Sequence, residues 1–148
     1  MNTEWTLKPF YELANDELYA ILQLRMEVFI VEQQCVYQDC DDKDQPAHHL
    51  MAWNNGKLAA VTRLLPPGIS YAEPSIGRVI TALAFRRIKL GRELMTRSIE
   101  ACYELFGKQP IRIGAQQYLK NFYESFGFRQ VSEPYDEDGI QHIKMLLG

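Results

Sequence analysis

Five basic residues, Arg86, Arg87, Lys89, Arg92 and Arg97, crowd around the start of the segment Leu90–Phe106, with Glu93 the only acid among them. That segment reads as a helix. The free N–H groups and dipole of a helix N-terminus both favour an anion. Gly91 has no Cβ, so the backbone can come close to a ligand there. The chemistry this spacing suggests is a phosphate-binding turn. A merely solvated basic face is the other reading, and spacing alone leaves both open. No G-x-G-x-x-G follows the preceding strand, and no G-x-x-x-x-G-K-[ST] occurs. The dinucleotide fingerprint and the P-loop are therefore absent.

Other chemistry-bearing residues fit known patterns poorly. Cys35, Cys40, His48 and His49 read C-x4-C…H-H, which matches no structural zinc spacing, so no metal site is expected. Asp39, Asp41, Asp42 and Asp44 lack the Gly and bidentate Glu that a calcium loop needs; Gln45 and Leu50 stand near those offsets. This acidic loop either draws a cationic amine toward the site or simply keeps the surface solvated. No G-x-S-x-G elbow is present. Cys102 lies in the middle of an apolar stripe and reads as core.

Several elements must position these residues. A first helix is predicted from near Asn15, with Asp16 and Glu17 in its positive first turn. Leu18, Ile21, Leu22, Val28 and Phe29 form its apolar stripe, and Arg25 sits on that same stripe. Strands are predicted around His48–Trp53, Leu58–Leu64 and Ile76–Thr81, the first two joined by Asn54-Asn55-Gly56, a hairpin signal. In the Leu90–Phe106 helix Gly91, Leu94, Met95, Ser98, Ile99, Cys102, Leu105 and Phe106 recur at helical steps before Gly107 stops them. A short strand at Ile111–Ala115 follows. Leu119, Phe122, Tyr123 and Phe126 then form another stripe, closed by Gly127. Strands near Phe128–Val131 and His142–Leu146 finish the chain, with Asp138-Gly139 as their turn. The segments 38–46 and 66–74 read as loops. The order α, β-β-β, α, β, α, β-β predicts an α/β (α+β) fold, a mixed sheet flanked by helices.

At 148 residues, with 47% hydrophobic and 24% charged residues, the chain is expected to form a single domain, residues 1–148, whose core needs no staple. A net charge of −3 removes the electrostatic reason to expect a duplex nucleic-acid partner. Three cysteines cannot all pair, which fits a reducing compartment. Met1-Asn2-Thr3-Glu4-Trp5 has no signal-like character, and no apolar run approaches the ~20 residues of a membrane span. A cytoplasmic protein with no membrane partner is expected.

Two segments then carry a resemblance. Arg86-Arg87-Ile88-Lys89-Leu90-Gly91 resembles the pyrophosphate loop of the GNAT superfamily of N-acetyltransferases, R/Q-x-x-G-x-G/A. Asn121-Phe122-Tyr123-Glu124-Ser125-Phe126-Gly127-Phe128 resembles that superfamily's second acetyl-CoA segment, N-x-Y-x-x-x-G-F. The element order is similar over nearly the whole chain, with a mostly antiparallel sheet implied. Leu24-Arg25…Val28-Phe29…Glu32-Gln33, Ile76-Gly77-Arg78-Val79 and Tyr135-x-Glu137-Asp138-Gly139-Ile140-x-His142-Ile143 are similar to the ElaA-like subfamily. One position departs: the loop's usual fourth-position glycine is Lys89, whose side chain either crowds a diphosphate or gives it another cation.

The resemblance implies direct acetyl transfer from acetyl-CoA to a primary amine of a small molecule or peptide, with no acyl-enzyme and no metal. It implies that the backbone of Val79, Ile80 and Thr81 holds the pantetheine arm. It further implies that Arg86, Arg87 and Lys89, with the amides of Ile88, Leu90, Gly91 and Arg92, hold the pyrophosphate. Asn121 would fix the arm. Tyr123 would be the general acid for the departing thiolate, since a phenol of pKa about 10 stays protonated at neutral pH. From periodicity alone Tyr123 only completes an apolar stripe. An ammonium acceptor also needs a base. The strand Ile76–Thr81 holds no carboxylate, so Glu32 leads, Glu27 and His142 follow, and ordered water is the remaining route. The alternative from another class is a non-catalytic acyl-CoA-binding sensor or scaffold module with a degenerate site. Homodimerisation, common in such folds, is left open.

Overall fold

The computed structural model describes residues 3–148, apart from the Arg87 side chain. The chain opens with strand β1 (Thr3–Pro9), then helix α1 (Asn15–Arg25), which widens into a π-helical turn over Met26–Glu32. Strands β2 (His48–Asn54), β3 (Lys57–Leu65) and β4 (Ser75–Thr81) follow. A 3₁₀ turn over Leu83–Ile88 leads into helix α2 (Leu90–Phe106). Strand β5 (Ile111–Gln116), the short helix α3 (Lys120–Glu124), and strands β6 (Arg129–Gln130), β7 (Tyr135–Glu137) and β8 (Ile140–Leu147) complete it.

The strands form two four-stranded sheets. The first has the order β1-β2-β3-β4; in the second β8 pairs with β5, β6 and β7. Every described ladder is antiparallel. The expected α/β architecture with a mostly antiparallel sheet is thus found, as a single domain. β4 and β5 meet where the Arg112 N–H donates to the Pro74 carbonyl at 3.1 Å, and both then line a common cleft. Strand β1 escaped the sequence pattern because it is a half-buried edge strand with no clean alternation. Asp138-Gly139 is a turn as expected, but it joins β7 to β8 rather than the Phe128 segment to the last strand. Both its residues have positive φ, as do Asn55 and Gly56 in the β2–β3 turn, which is the type I′ geometry that suits a tight hairpin.

Helices α1 and α2 cover opposite faces of the first sheet. Ile21, Leu24 and Val28 pack with Met51, Val61 and Ile80, while Leu90 and Leu94 pack with Leu50, Ala52 and Ala60. Further along α2, Met95 and Cys102 pack under the second sheet, with Ile111, Ile113, Ala115, Ile143 and Met145. Tyr123 and Phe128 join that cluster. One helix therefore ties both sheets together and brings its N-terminus to the gap between them.

Candidate active site

The cleft runs between β4 and β5 and has a volume of about 840 Å³. That suits a cofactor-sized molecule. Strand alternation gives it two sides. Ile113 and Ala115 of β5 face α2 and Tyr123, whereas Gly114 and Gln116 point the opposite way, toward Tyr71 and Gln33. Residues of both kinds line the cleft, so it borders both faces of β5.

β4 is shaped by a bulge. Between Val61 and Arg63 on β3, the partner strand advances from Ile80 to Gly77, one residue more. Arg78 takes the extra turn with φ +50°. A bulged residue leaves its ladder, so backbone groups near Arg78 and Val79 are freed beside the cleft. Val79, Ile80 and Thr81 all line it.

At one end stands the α2 N-terminus. No side chain caps it, which leaves its first N–H groups available to a ligand. Gly91 lines the cleft, and a Cβ there would lie 3.6 Å from Thr81 Oγ1, an ordinary contact. Its lack of a side chain matters for what approaches from the cleft. Lys89 is exposed and left-handed at φ 60°, ψ 25°. A glycine is unstrained in that conformation and a lysine is not, which explains the usual residue at this place.

The basic cluster is only partly aimed at this end. Arg86 lines the cleft; its Nε donates to the Thr81 carbonyl at 2.9 Å, and its two terminal nitrogens donate to Glu32 at 3.0 Å each. Arg92 donates to Ser125 Oγ at 2.9 Å and lies 4.6 Å over the Phe126 ring. Arg97 pairs with Glu93 and stacks 4.6 Å over Trp5, which takes it out of the basic cluster at the helix start. Ile88, Lys89 and Arg92 stand outside the lining, and Leu90 is buried against the first sheet. Asn121 is exposed on α3 and also lies outside the lining.

Tyr123 lines the cleft from the α2 side, packed edge-on against Phe122 and Phe128. Burial, with a smaller contribution from Tyr118, pushes its phenol well above the ordinary range. It stays protonated throughout the working range of pH. Glu32 lines the cleft as well, but Arg86 occupies both of its oxygens. Glu27 is exposed and outside the lining; His142 is in it.

The acidic loop has a different role from either reading given to it. Arg25, Arg63 and Arg78 alternate with Asp39, Asp41 and Asp44 in a closed ring of ion pairs. Arg25 reaches Asp39 at 2.6 Å and Asp44 at 2.7 Å; Arg63 reaches Asp44 at 3.0 Å and Asp41 at 2.8 Å; Arg78 reaches Asp41 at 3.3 Å and Asp39 at 2.8 Å. Burial works against ionised carboxyls here, yet the arginines hold Asp41 down to about 2 and Asp44 below its usual range. These carboxylates are spent on the protein itself. The signal for this ring was Arg25, a charge on a helix's apolar stripe ahead of an acidic loop.

Two further contacts across the cleft had no sequence signal. Gln33 and Gln116 exchange side-chain amide hydrogen bonds at 3.2 and 3.3 Å, and Cys35 Sγ donates to the Asp138 carbonyl at 3.0 Å. Among the described residues, no group of three or more His, Cys, Asp or Glu is placed to hold a metal. No helix among them is long and apolar enough to cross a membrane.

Two antiparallel sheets parting around a cleft, with an uncapped helix N-terminus at one end, form the framework of an acyl-CoA-dependent N-acyltransferase. The chain belongs to the GNAT acetyltransferase family: the model of the acetyltransferase (GNAT) domain matches residues 14–147. Within it the chain is an ElaA-like member. It is 44% identical to the protein ElaA of Escherichia coli K12 over 96% of this chain and 94% of that one. The crystal structure of E. coli ElaA superposes with a TM-score of 0.90 at 41% identity, covering 99% of this chain and 100% of that one. A crystal structure of an acyl-CoA N-acyltransferase from Pseudomonas aeruginosa superposes with a TM-score of 0.93 at 44% identity, covering 98% and 99%. The residues present fit an acyl-CoA: an uncapped helix start for its phosphates, a bulged strand edge for its amide-bearing arm, and a phenol beyond.

Proposed function

We propose that this chain transfers an acetyl group from acetyl-CoA directly to a primary amine of a small molecule or peptide. The observation that carries the reading is a cleft that joins an uncapped helix N-terminus, a bulged strand and a buried phenol on one face, and opens to solvent on the other. The diphosphate meets the N–H groups of Leu90, Gly91 and Arg92, aided by Arg86, Arg87 and Lys89. The backbone of Val79, Ile80 and Thr81 takes the pantetheine arm as an added strand would. Asn121 steadies the arm from α3.

Tyr123 acts as the acid for the leaving sulfur. Its raised pKa keeps the proton in place until negative charge builds on sulfur, and the hydrogen bond strengthens as that charge grows. In the free protein Glu32 pairs with Arg86, the cation that the diphosphate would take over. A cytoplasmic setting agrees with Cys35, Cys40 and Cys102 all being free thiols.

The test is release of CoA thiol from acetyl-CoA in the presence of an amine panel: n-butylamine, spermidine, free amino acids and a lysine tetrapeptide. Amine-dependent thiol release is the expected result. Calorimetric binding of acetyl-CoA with no release across the panel would replace the enzyme by an acyl-CoA sensor.

A further inference from the structure

We infer that His142 is the proton acceptor for the amine, a role that rests on the acetyl-transfer reading above. His142 sits on β8 opposite Gln116 of β5, on the face of the second sheet turned away from Tyr123. It lines the cleft there. The donor is read as lying along α2 and Tyr123, so an amine must approach from this second face.

Both ring nitrogens face acceptors, Nδ1 the closer one. Nδ1 lies 2.8 Å from the Ile140 carbonyl oxygen. A carbonyl only accepts, so the shorter contact is met by a neutral ring that donates from Nδ1 and keeps its lone pair on Nε2. Nε2 lies 3.3 Å from Glu137 Oε2. A carboxylate also only accepts, so this contact becomes a hydrogen bond and an ion pair once Nε2 has gained a proton. The site therefore favours the product of proton abstraction. The His142 side chain is 9% exposed and that of Glu137 55%, which gives the proton a path to solvent.

The groups facing His142 are few. β7 presents Glu137 and Tyr135, the latter with its ring centroid 5.9 Å away. The turn presents Asp138, whose carbonyl accepts from Cys35. β5 presents the uncharged Gln116, held by Gln33. Lys144, on the same strand, donates to Tyr71 and lies over the Tyr71 and Tyr135 rings at 4.9 and 4.7 Å. Of the groups weighed above, Glu27 is outside the lining and Glu32 is paired with Arg86 in the free protein, whereas His142 lines the cleft with no cation paired to it; ordered water is the remaining route.

The proton count then closes. The ammonium gives one proton to His142 Nε2, which passes it to solvent beside Glu137. The freed nitrogen lone pair forms the bond to the acetyl carbon, and the carbon–sulfur bond breaks with its electron pair going to sulfur. Sulfur takes the Tyr123 proton, and the second proton lost by nitrogen restores the phenol. The products are the amide, CoA thiol and one released proton.

The test is His142→Asn, whose amide keeps a donor for the Ile140 carbonyl but has no basic nitrogen. Thiol release is measured against n-butylamine and spermidine at neutral pH. The expected result is a kcat/KM lowered about 100-fold, while the melting temperature and the calorimetric Kd for acetyl-CoA stay unchanged. Added imidazole should restore part of the rate to His142→Ala. Turnover of His142→Asn within about threefold of wild type would overturn the role, as would nitrogen chemical shifts showing the proton on Nε2 in the wild-type protein at neutral pH. Wild-type protein that releases no thiol with any amine would instead overturn the acetyl-transfer reading itself. The tautomer measurement does not depend on turnover, so the two failures are distinguishable.

Discussion

Arg78 grips Asp39 from a left-handed backbone. At φ +50° its Nε reaches Asp39 Oδ1 at 2.8 Å and a terminal nitrogen reaches the Asp39 carbonyl at 2.9 Å. The residue that makes the β4 bulge is thereby clamped to the loop that follows α1. Because Asp39 also holds Arg25, the cleft's strand edge and the first helix are fixed through one carboxylate.

Asp39→Asn should cost about 1–3 kcal/mol, since Arg25 and Arg78 each lose one charged hydrogen-bond partner while keeping Asp44 and Asp41. Arg25 is only 1% exposed, so the lost contact is not replaced from bulk solvent. Urea denaturation measures the loss. A change below about 1 kcal/mol would mean that the ring contributes little beyond its packing.

Stability should fall steeply in acid. Asp41 and Asp44 both titrate lower in the folded chain, because Arg63 and Arg25 respectively outweigh their desolvation. The stability they supply is complete above the unfolded carboxyl range, about 4, and is lost as pH falls toward about 2. Asp41→Asn should flatten the plot of unfolding free energy against pH in that window. An unchanged slope would assign acid sensitivity to other carboxyls.

Glu32→Gln should strengthen acetyl-CoA binding by about twofold to fivefold, the equivalent of one exposed ion pair. In the free protein Glu32 occupies the Arg86 guanidinium that a diphosphate would otherwise meet. Calorimetric titration at low salt reads the effect, and high salt should erase it. Weaker binding would show that Glu32 supports the cofactor turn rather than competing for it.

Lys89→Gly should stabilise the fold by about 0.5–1 kcal/mol, the relief of left-handed strain less the added freedom of the unfolded chain. Thermal melting with and without CoA checks it. A fall in stability would point to contacts made by the lysine side chain.

Tyr123→Phe should lower turnover about 100-fold and leave the Kd for acetyl-CoA nearly unchanged. The ring keeps its packing on Phe122 and Phe128 and loses only the hydroxyl. Unaltered turnover would return Tyr123 to a packing role.

What was legible in the sequence follows from how local each signal is. The α2 helix could be read because a single stripe packs one face and Gly107, at φ +86°, ends it. The Asn55-Gly56 hairpin was equally local. β7 was missed because three residues carry no period, and the β4 bulge because its cause is a distant loop. The Arg86–Gly91 turn was found, yet the partners of Arg86 and Arg97 were not, since Glu32 and Trp5 lie far from them along the chain. Pairings between distant charges are written in the fold, not in the spacing.

The alternation of β5 has a kinetic consequence. Its odd residues are buried on the side of α2 and Tyr123 and its even residues look the other way, so under the proposed reaction donor and acceptor would reach the same strand edge from opposite faces. Neither product need wait for the other to depart. A molecule joining an amine to CoA would have to thread the passage from end to end, and would report its length directly.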